Sequence, residues 1–335
     1  MLAPQISVLL PYRDAGATIG EALASVLQDG SPHIEVLAVD DGSRDEGTRR
    51  VHERATKDTR IRCLESHGVG IVGALSRAAS AARAPIFARM DADDVSLPGR
   101  FGAQLALLEA HRDVAIVAAR VRNLADAPIG AGLERYVAWQ NTLLTKADHD
   151  RDIFVESPVC HPSVMMRRDA FEAVGGYRES PWAEDYDLWL RLWQAGHRFM
   201  KVPEVYLEWR NRAGRLTHTD PRLSEDAFRR AKAHYLAPWI QAAGRPLTIW
   251  GAGPIGKRVA RGLETHGVFA TRFVDVDPKK IGRTARGVPI AAIDSLRSGA
   301  ETVLAAVGNA RARGLIRADL DERGFVEGVD YRAVA

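Results

Sequence analysis

Short apolar runs alternate with helix-like segments over roughly the first 120 residues, and this alternation leaves the chain few possible folds. Residues 6–10 and 34–39 are apolar runs, and an amphipathic segment, 18–28, lies between them. The same order recurs up to a further apolar run at 86–90. Strands that alternate with helices predict a mostly parallel sheet covered on both faces. Ligands of such sheets bind beyond the carboxyl ends of the strands, so the loops there are the first candidates for function.

Three carboxylates directly follow the apolar run 86–90, in the sequence Asp91-Ala92-Asp93-Asp94. Like charges this close repel one another, which is costly at the end of a buried strand unless a cation shares the site. Mg²⁺ is commonly held by one or two carboxylates together with substrate phosphates. The cluster therefore indicates a divalent ion that bridges the protein to a diphosphate. An acidic, solvated turn could have the same sequence.

A second acidic loop, Asp40-Asp41-Gly42-Ser43, follows the run 34–39. A carboxylate in this loop can accept a hydrogen bond from a nucleobase N–H or a ribose hydroxyl, although the same residues also form ordinary turns. Pro11, Asp41 and Asp91 all lie at predicted strand ends. We therefore expect three loops that are distant in sequence to converge at one edge of the sheet.

Glu184 and Asp185 stand at the predicted start of an amphipathic helix. Negative charge at a helix N-terminus is favourable by about 0.3–1 kcal/mol, and that effect alone explains the acidity. The functional interpretation makes Asp185 a general base in a cleft lined by aromatic residues, where partial burial raises the pKa of a carboxyl. The sequence leaves both interpretations open.

Composition is that of an ordinary soluble protein and argues against several classes. The 335 residues carry 46 basic and 43 acidic side chains, a net charge of +3, which is too even to predict nucleic-acid binding. The two cysteines have neither metal-ligand spacing nor the pattern of a disulfide framework. Neither a signal peptide nor an apolar stretch of membrane-spanning length is evident, so we expect a cytoplasmic protein.

The sequence pattern and its helix-breaking residues divide the chain into three parts: residues 1–220, a long connecting helix over 221–244, and a second α/β segment over 245–335. The third part places Gly251, Gly253 and Gly256 between a strand and a helix, with Asp275 ending the next strand. This context matches the dinucleotide-binding fingerprint, so NAD or a nucleotide is a candidate ligand. About 85 residues supply only one half of a full dinucleotide-binding fold. A Rossmann-like accessory domain for docking, homodimer formation or regulation is therefore favoured over ligand binding.

The motifs within residues 5–220 together resemble those of the family 2 glycosyltransferases. In the family's order they are ISVLLPY at 6–12, VDDGS at 39–43, ARMDADD at 88–94, HPS at 161–163 with VGGY at 174–177, and the acidic pair at 184–185. The resemblance implies the GT-A fold, an α/β fold with a mostly parallel central sheet. It also implies transfer of a sugar from a nucleotide-diphosphate donor, with inversion at the anomeric carbon.

The resemblance implies a role for each donor-side motif. Pro11 and Tyr12 would line the nucleotide pocket, and Asp41 would hydrogen-bond the base. Asp91 would face the ribose or the metal ion, and Asp93 would bind the Mg²⁺ or Mn²⁺ that joins the diphosphate.

On the acceptor side, the resemblance implies that Asp185 takes the proton from the acceptor hydroxyl. Trp209 and Arg210 lie in the region that shapes the acceptor site in relatives. Glu184 and His161 are further candidate contacts to the acceptor or the diphosphate.

The chain departs from the family pattern in places. Arg13-Asp14 follow the first motif where an Asn is common, and residues 74–77 lack a second Asn. The Gln/Arg-x-x-Arg-Trp pattern of processive synthases is missing, which favours transfer of a single sugar. His161 and His218 could approach the metal, but a hydrogen-bonded structural histidine is favoured for each.

The resemblance implies a nucleotide-sugar donor and a glycan, lipid-linked or small-molecule hydroxyl acceptor, used in surface-glycan biosynthesis. A lipid-linked acceptor would bring peripheral contact with the inner face of the membrane, although no basic amphipathic helix in the sequence demands it. The alternative hypothesis is a nucleotide- or NAD-binding regulatory or scaffold protein whose transferase domain is degenerate.

Overall fold

The computed structural model describes residues 3–29, 33–126, 128–212 and 220–335. The chain divides into two compact units. The first comprises Met1–His149, Val159–Ser180 and Glu184–Thr219, and the second comprises Asp150–Pro158, Pro181–Ala183 and Asp220–Ala335. The segment expected to connect two domains, 221–244, therefore belongs to the second unit.

An eight-stranded sheet forms the centre of the first unit. Its strands are β1 (Ile6–Tyr12), β2 (Ile34–Asp40), β3 (Ile61–Glu65), β4 (Ile86–Arg89), β5 (Val95–Ser96), β6 (Val114–Ala125), β7 (Met165–Arg167) and β8 (Arg198–Asn211). They are arranged in the order β3-β2-β1-β4-β7-β6-β8-β5. β1 to β4 are parallel, β6 and β8 are parallel, and β7 and β5 run antiparallel to their neighbours. The predicted mostly parallel α/β sheet is confirmed.

Helices pack around this sheet, so that its central strands are buried. Every residue of β1 and β2 is buried, which explains why both segments are mostly apolar in sequence. The helices are α1 (Ile19–Leu27), α2 (Gly47–Ala55), α3 (Gly70–Ala81), α4 (Arg100–Ala110), α5 (Ala131–Gln140), α6 (Lys146–Asp152), α7 (Arg168–Ala173) and α8 (Glu184–Gln194).

The region 120–220, which looks irregular in sequence, contributes the two longest strands. β6 continues to Ala125, beside β8 and parallel to it, with several shifts of register. Beyond residue 120 the burial of β6 is mixed, because that end is partly solvated. A strand with such an end has no continuous apolar run, so its full length was not evident from the sequence.

The second unit contains a six-stranded sheet in the order β11-β12-β10-β9-β13-β14. Five of these strands are parallel, and β11 alone is antiparallel to its neighbour. The elements are α9 (Glu225–Ala243), β9 (Leu247–Trp250), α10 (Pro254–Glu264), β10 (Ala270–Asp275), β11 (Thr284–Ala285), β12 (Val288–Ala292), β13 (Thr302–Ala305), α11 (Ala310–Glu322) and β14 (Tyr331–Ala333). From β12 to β14 the order of the parallel strands is that of the Rossmann fold.

Helix α9 opens the second unit. The Ser224 side chain caps it by accepting a hydrogen bond from the Ala227 N–H, and Gly244 ends it in a left-handed conformation. The helix packs against α10 within the same unit. Among the helices of the described ranges, none is both long enough and apolar enough to cross a membrane.

Candidate active site

The three acidic side chains that follow β4 form one cluster. Asp91, Asp93 and Asp94 each place a carboxylate oxygen within 4.8 Å of the others. Asp91 and Asp93 are partly buried, and Asp94 is buried. Carboxylate oxygens are the ligands that Mg²⁺ and Mn²⁺ prefer, so this donor set fits a divalent ion of that class.

Arg210 on β8 holds the acidic loop in place. Its backbone N–H donates to Asp94 Oδ1 (2.8 Å), and its Nε donates to the carbonyl oxygen of Asp93 (2.6 Å). Its other guanidinium nitrogens donate to the carboxylates of Asp126 and Glu21. The resemblance suggested Arg210 as an acceptor contact. The structure places it only 8% exposed, with its guanidinium supporting the acidic loop.

A buried arginine lies directly beneath the cluster. Arg89, the last residue of β4, is 2% exposed and pairs with Asp91 at 2.5 Å. Its carbonyl oxygen accepts a hydrogen bond from Arg100 (2.9 Å), which also donates to the Pro162 carbonyl (2.7 Å). Burial lowers the pKa of Arg100 to about 10. Neither arginine was assigned a role from the sequence, although a charge inside an apolar run, as at Arg89, is a signal that could have pointed to one.

Asp93 meets a second arginine, near the end of β8. Arg212 Nε lies 2.9 Å from Asp93 Oδ2, and the Arg212 side chain is 41% exposed. Water screens the charge of the exposed Arg212 guanidinium and so weakens this ion pair. A metal ion that bound Asp93 would therefore displace only a weak contact, the ion pair with Arg212.

The second acidic loop is held by two different side chains. Asp40 accepts hydrogen bonds from the Ser43 N–H (2.8 Å) and the Thr48 hydroxyl. Burial alone would raise the pKa of Asp40, but these bonds outweigh it and hold the pKa below its ordinary value. Asp41 accepts from the Ser66 hydroxyl (2.8 Å) and the Gly70 N–H (3.0 Å). Asp41 is thus buried against the loop that begins α3, rather than extended into solvent.

A cavity of about 320 Å³ opens at the carboxyl ends of β1, β2 and β3. Tyr12 and Asp40 line it on one side, and Arg77 of α3 also reaches it. Burial, and next the charge of Asp40, raise the pKa of Tyr12, so its phenol stays protonated. Tyr12 was expected in a nucleotide pocket, whereas Asp40 and Arg77 were not assigned from the sequence. The other lining residues are Thr48, His52, Cys63, Leu64, Glu65 and His67.

Asp185 lies at the N-terminus of α8 and is partly buried. One of its carboxylate oxygens accepts a hydrogen bond from the Tyr186 N–H (2.6 Å). Burial, and next the charge of the neighbouring Glu184, raise the pKa of Asp185 to about 7, against the opposing charge of Arg89. A carboxyl with this pKa exchanges protons near neutral pH, as a general base must.

His161 is part of the structure around α8. Its Nε2 is 2.8 Å from the Tyr177 hydroxyl, and its Nδ1 lies 3.8 Å from Glu184. Burial, followed by the charge of Arg89, holds the pKa of His161 well below its ordinary value, so the ring is neutral. These contacts favour the structural interpretation of His161 over a metal contact. His218 lies outside the described residues.

Two remaining features of the site concern β8 and α8. Trp209 lies beside Tyr136 with ring centroids 6.2 Å apart, in an aromatic group to which Trp139 also belongs.

Arg191 donates to the carbonyls of Val174 (2.6 Å) and Gly176 (2.7 Å). The VGGY motif is therefore a turn tied to α8, and this tie positions Tyr177, the last residue of the motif.

The sheet brings the predicted donor-side residues to a single edge. β2, β1 and β4 are parallel neighbours, and Tyr12, Asp41 and Asp91 lie at or just after their carboxyl ends. Arg89 joins this edge to α8, because its charge acts on both Asp91 and Asp185. The acidic cluster and Asp185, whose pKa is raised, thus both lie within the field of one buried cation, Arg89.

The fold and this acidic site define a GT-A glycosyltransferase. The model of glycosyl transferase family 2 matches residues 7–175, half of the chain. The chain belongs to this family.

Curated relatives match over similar lengths. EpsE of Bacillus subtilis is 27% identical over 241 residues, which cover 69% of this chain and 78% of EpsE. The amylovoran biosynthesis glycosyltransferase AmsE of Erwinia amylovora is 28% identical, covering 61% of this chain and 75% of AmsE. A UDP-Gal:alpha-D-GlcNAc-diphosphoundecaprenol beta-1,3-galactosyltransferase of Escherichia coli is 26% identical, covering 62% and 74%.

Solved structures share the fold at lower identity. S. aureus TarS 1–349 in complex with UDP-GlcNAc has a TM-score of 0.58 and 16% identity, covering 79% of this chain and 73% of that one. Mannosyltransferase PcManGT from Pyrobaculum calidifontis, in complex with GDP-Man and Mn²⁺, has a TM-score of 0.51 and 18% identity, covering 78% and 70%. At these identities the likeness shows the fold alone.

Proposed function

We propose that this enzyme transfers one sugar from a nucleotide-diphosphate donor to a hydroxyl group, with inversion and with help from a divalent metal ion. One observation carries the proposal. The buried charge of Arg89 acts both on the carboxylate cluster that suits a metal ion and on Asp185, whose pKa is about 7. We assign the reaction to the first unit, which contains all of these residues.

The donor nucleotide binds at the edge formed by β1, β2 and β4. The cavity lined by Tyr12, Asp40 and Arg77 offers an aromatic ring, an acceptor and a cation to a base and its ribose. Pro11 precedes Tyr12 within β1 and is buried at this edge of the sheet. Asp41 keeps acceptor capacity for a base N–H, because each carboxylate oxygen has two lone pairs and uses one on Ser66 or Gly70.

Asp93 and Asp91 would hold the metal ion, and Asp94 anchors their loop to β8 through Arg210. When bound, a divalent ion offsets the negative charge that develops on the departing diphosphate. Arg212, whose guanidinium is partly exposed beside Asp93, would supply a positive charge for a diphosphate oxygen.

Asp185 is the general base. The acceptor oxygen forms a bond to the anomeric carbon as the bond from that carbon to the diphosphate breaks, and the electron pair leaves with the nucleoside diphosphate. The hydroxyl proton passes to the Asp185 carboxylate. Attack from the face opposite the leaving group inverts the anomeric configuration, and no covalent enzyme intermediate is needed.

The acceptor is a surface glycan or its lipid-linked precursor. Two relatives support this class, since one is named for amylovoran biosynthesis and another for transfer to a diphosphoundecaprenol-linked sugar. Trp209 and its aromatic neighbours offer the flat apolar surface on which sugar rings stack. The absence of the Gln/Arg-x-x-Arg-Trp pattern from the sequence supports transfer of one sugar at a time.

A panel of UDP-, GDP- and dTDP-sugars tests the proposal, with Mn²⁺ or with EDTA and with lipid-linked and soluble glycan acceptors. We expect metal-dependent transfer or slow donor hydrolysis, which Asp93→Asn abolishes. Asp113→Asn, the same change at an exposed surface pair, is the matched control. Metal-independent turnover that survives Asp93→Asn would refute the metal role. No turnover with any donor would favour the alternative of a degenerate, regulatory protein.

A further inference from the structure

A second cavity, of about 470 Å³, lies within the C-terminal unit. It opens at the carboxyl ends of β9, β10 and β13, where Gly251, Asp275 and Ala306 line it. β9 pairs with β10 on one side and with β13 on the other, so the chain reverses its direction of strand addition at this point. Such switch points are where open parallel sheets bind ligands. The volume lies within the range of small-molecule sites, roughly 300–1,000 Å³.

The loop between β9 and α10 contains three glycines. Two of them leave no room for a side chain, and the remaining one faces open space. Gly251 has φ +114°, and a Cβ there would lie 3.0 Å from the Ala306 carbonyl oxygen. A Cβ on Gly256 would lie 1.9 Å from the Gly251 carbonyl oxygen. Gly253 lines the cavity, and a Cβ there would meet no atom within 4 Å. Packing therefore explains the first and third glycines but not the second, whose missing side chain keeps the cavity open beside the backbone.

Polar groups on the cavity wall match a phosphorylated, hydroxylated ligand. Lys280 Nζ lies 3.0 Å from Asp275 Oδ2, and the same oxygen accepts the Ala252 N–H (2.9 Å). The first backbone hydrogen bond of α10 runs from the Lys257 N–H to the Gly253 carbonyl oxygen. The N–H groups of Ile255 and Gly256 precede it and have no acceptor within the helix. These amides and the Lys280 ammonium are donors for an anion, and Asp275 is an acceptor for hydroxyl groups.

The rim of the cavity is apolar. Ile255, Val276 and Leu315 line it and are 37%, 66% and 65% exposed. They are three of the nine large apolar side chains that are exposed in the described part of the chain. Exposed apolar side chains grouped around a few polar ones are typical of a site for a ring-bearing small molecule.

We propose that the C-terminal unit binds a nucleoside diphosphate or a compound that contains one. Its phosphates lie against the Gly253 loop and Lys280, its ribose hydroxyls donate to Asp275, and its base covers Val276. This site is separate from the transfer reaction, and its residues all belong to the second unit. It gives the enzyme a nucleotide-binding unit in addition to its transferase unit.

The test uses the full-length chain carrying Asp93→Ala, in EDTA, so that metal-dependent donor binding is suppressed. ADP, UDP, GDP and NAD⁺ are titrated by calorimetry. We expect at least one of them to bind, which also identifies the preferred base. Adding Gly253→Glu, whose side chain points a negative charge into open space, weakens that binding by about tenfold or more. Gly314→Glu is the matched control, since it lies on α11 outside the cavity lining and a Cβ there also meets no atom.

Lys280→Ala provides a second, independent variant, and we expect it to weaken binding while the fold is retained. Circular dichroism confirms folding of each variant before titration. The proposal is overturned if none of the four nucleotides binds. It is also overturned if the nucleotide that binds does so equally well to the folded Gly253→Glu and Lys280→Ala variants. Transfer activity is not a readout, so failure here leaves the proposed function unaffected.

Discussion

Replacing Asp185 by Asn should slow transfer by orders of magnitude and yet stabilise the protein. The carboxyl is partly buried beside Glu184, and its pKa is raised from the ordinary 3.8 to about 7. Asn has nearly the same shape but never ionises. It therefore removes a charge that the fold tolerates poorly, together with the base that the reaction needs.

The size of the stabilisation follows from the pKa. A raised pKa means that the folded state holds the proton more tightly than the unfolded state, so wild-type stability falls as the pH rises from about 4 to about 7. Three pH units at 1.36 kcal/mol each correspond to about 4 kcal/mol, as an upper value. We expect Asp185→Asn to exceed wild type by up to this amount at pH 8 and to converge on it near pH 4.

Urea denaturation at pH 4.5 and pH 8 measures the difference, and transfer assays with the best donor measure the loss of activity. The expected fall in kcat is about 10²–10⁴-fold, the usual contribution of a general base. Asp187→Asn is the matched control on the same helix. Its carboxylate pairs with the buried Arg191 at 2.7 Å, so this variant should lose about 3–5 kcal/mol. An Asp185→Asn protein that is less stable than wild type at pH 8 would refute the reasoning.

Three further predictions concern the same site. With saturating Mn²⁺, kcat/KM should rise about tenfold per pH unit below 7 and level off above it, whereas the residual rate of Asp185→Asn stays flat. Asp41→Asn keeps one of two acceptors for Ser66 and Gly70, so we expect about 1–3 kcal/mol lower stability and a higher donor KM, measured by melting and by kinetics. Arg210→Lys replaces three guanidinium nitrogens, which reach the Asp93 carbonyl, Asp126 and Glu21, by a single ammonium nitrogen. The Mn²⁺ concentration for half-maximal activity should therefore rise while kcat at saturation changes little, and an unchanged metal dependence would contradict this role.

The sequence predicted a strand correctly wherever burial in the sheet produces a local apolar run. The buried parallel strands β1, β2 and β4 are mostly apolar, so their positions and the acidic loops behind them could be predicted. The extended β6–β8 pair could not, because its solvated end and shifted register leave no clear period. Nor could the short antiparallel β7, whose place between β4 and β6 depends on pairing that is distant in the chain.

The candidate site divides in the same way. Asp91, Asp93 and Asp185 could be singled out from the sequence, because each lies at the end of a predicted strand or at the start of a predicted helix. The support given by Arg89, Arg100 and Arg210 was hidden, since each acts through contacts made by the folded chain. Arg210 meets the acidic loop across 117 positions of sequence, a proximity that no local pattern records.

The amino-acid sequence alone determined the class of fold, the family and the identity of the acidic residues, because these depend on hydrophobic period and on residues that are close together in the chain. Tertiary structure alone decided which arginines neutralise and position those acids, and why Asp185 has a pKa near 7. It also decided that Gly253 faces an open cavity while Gly251 and Gly256 serve packing. Burial and electrostatic fields arise from neighbours that are brought together only when the chain folds.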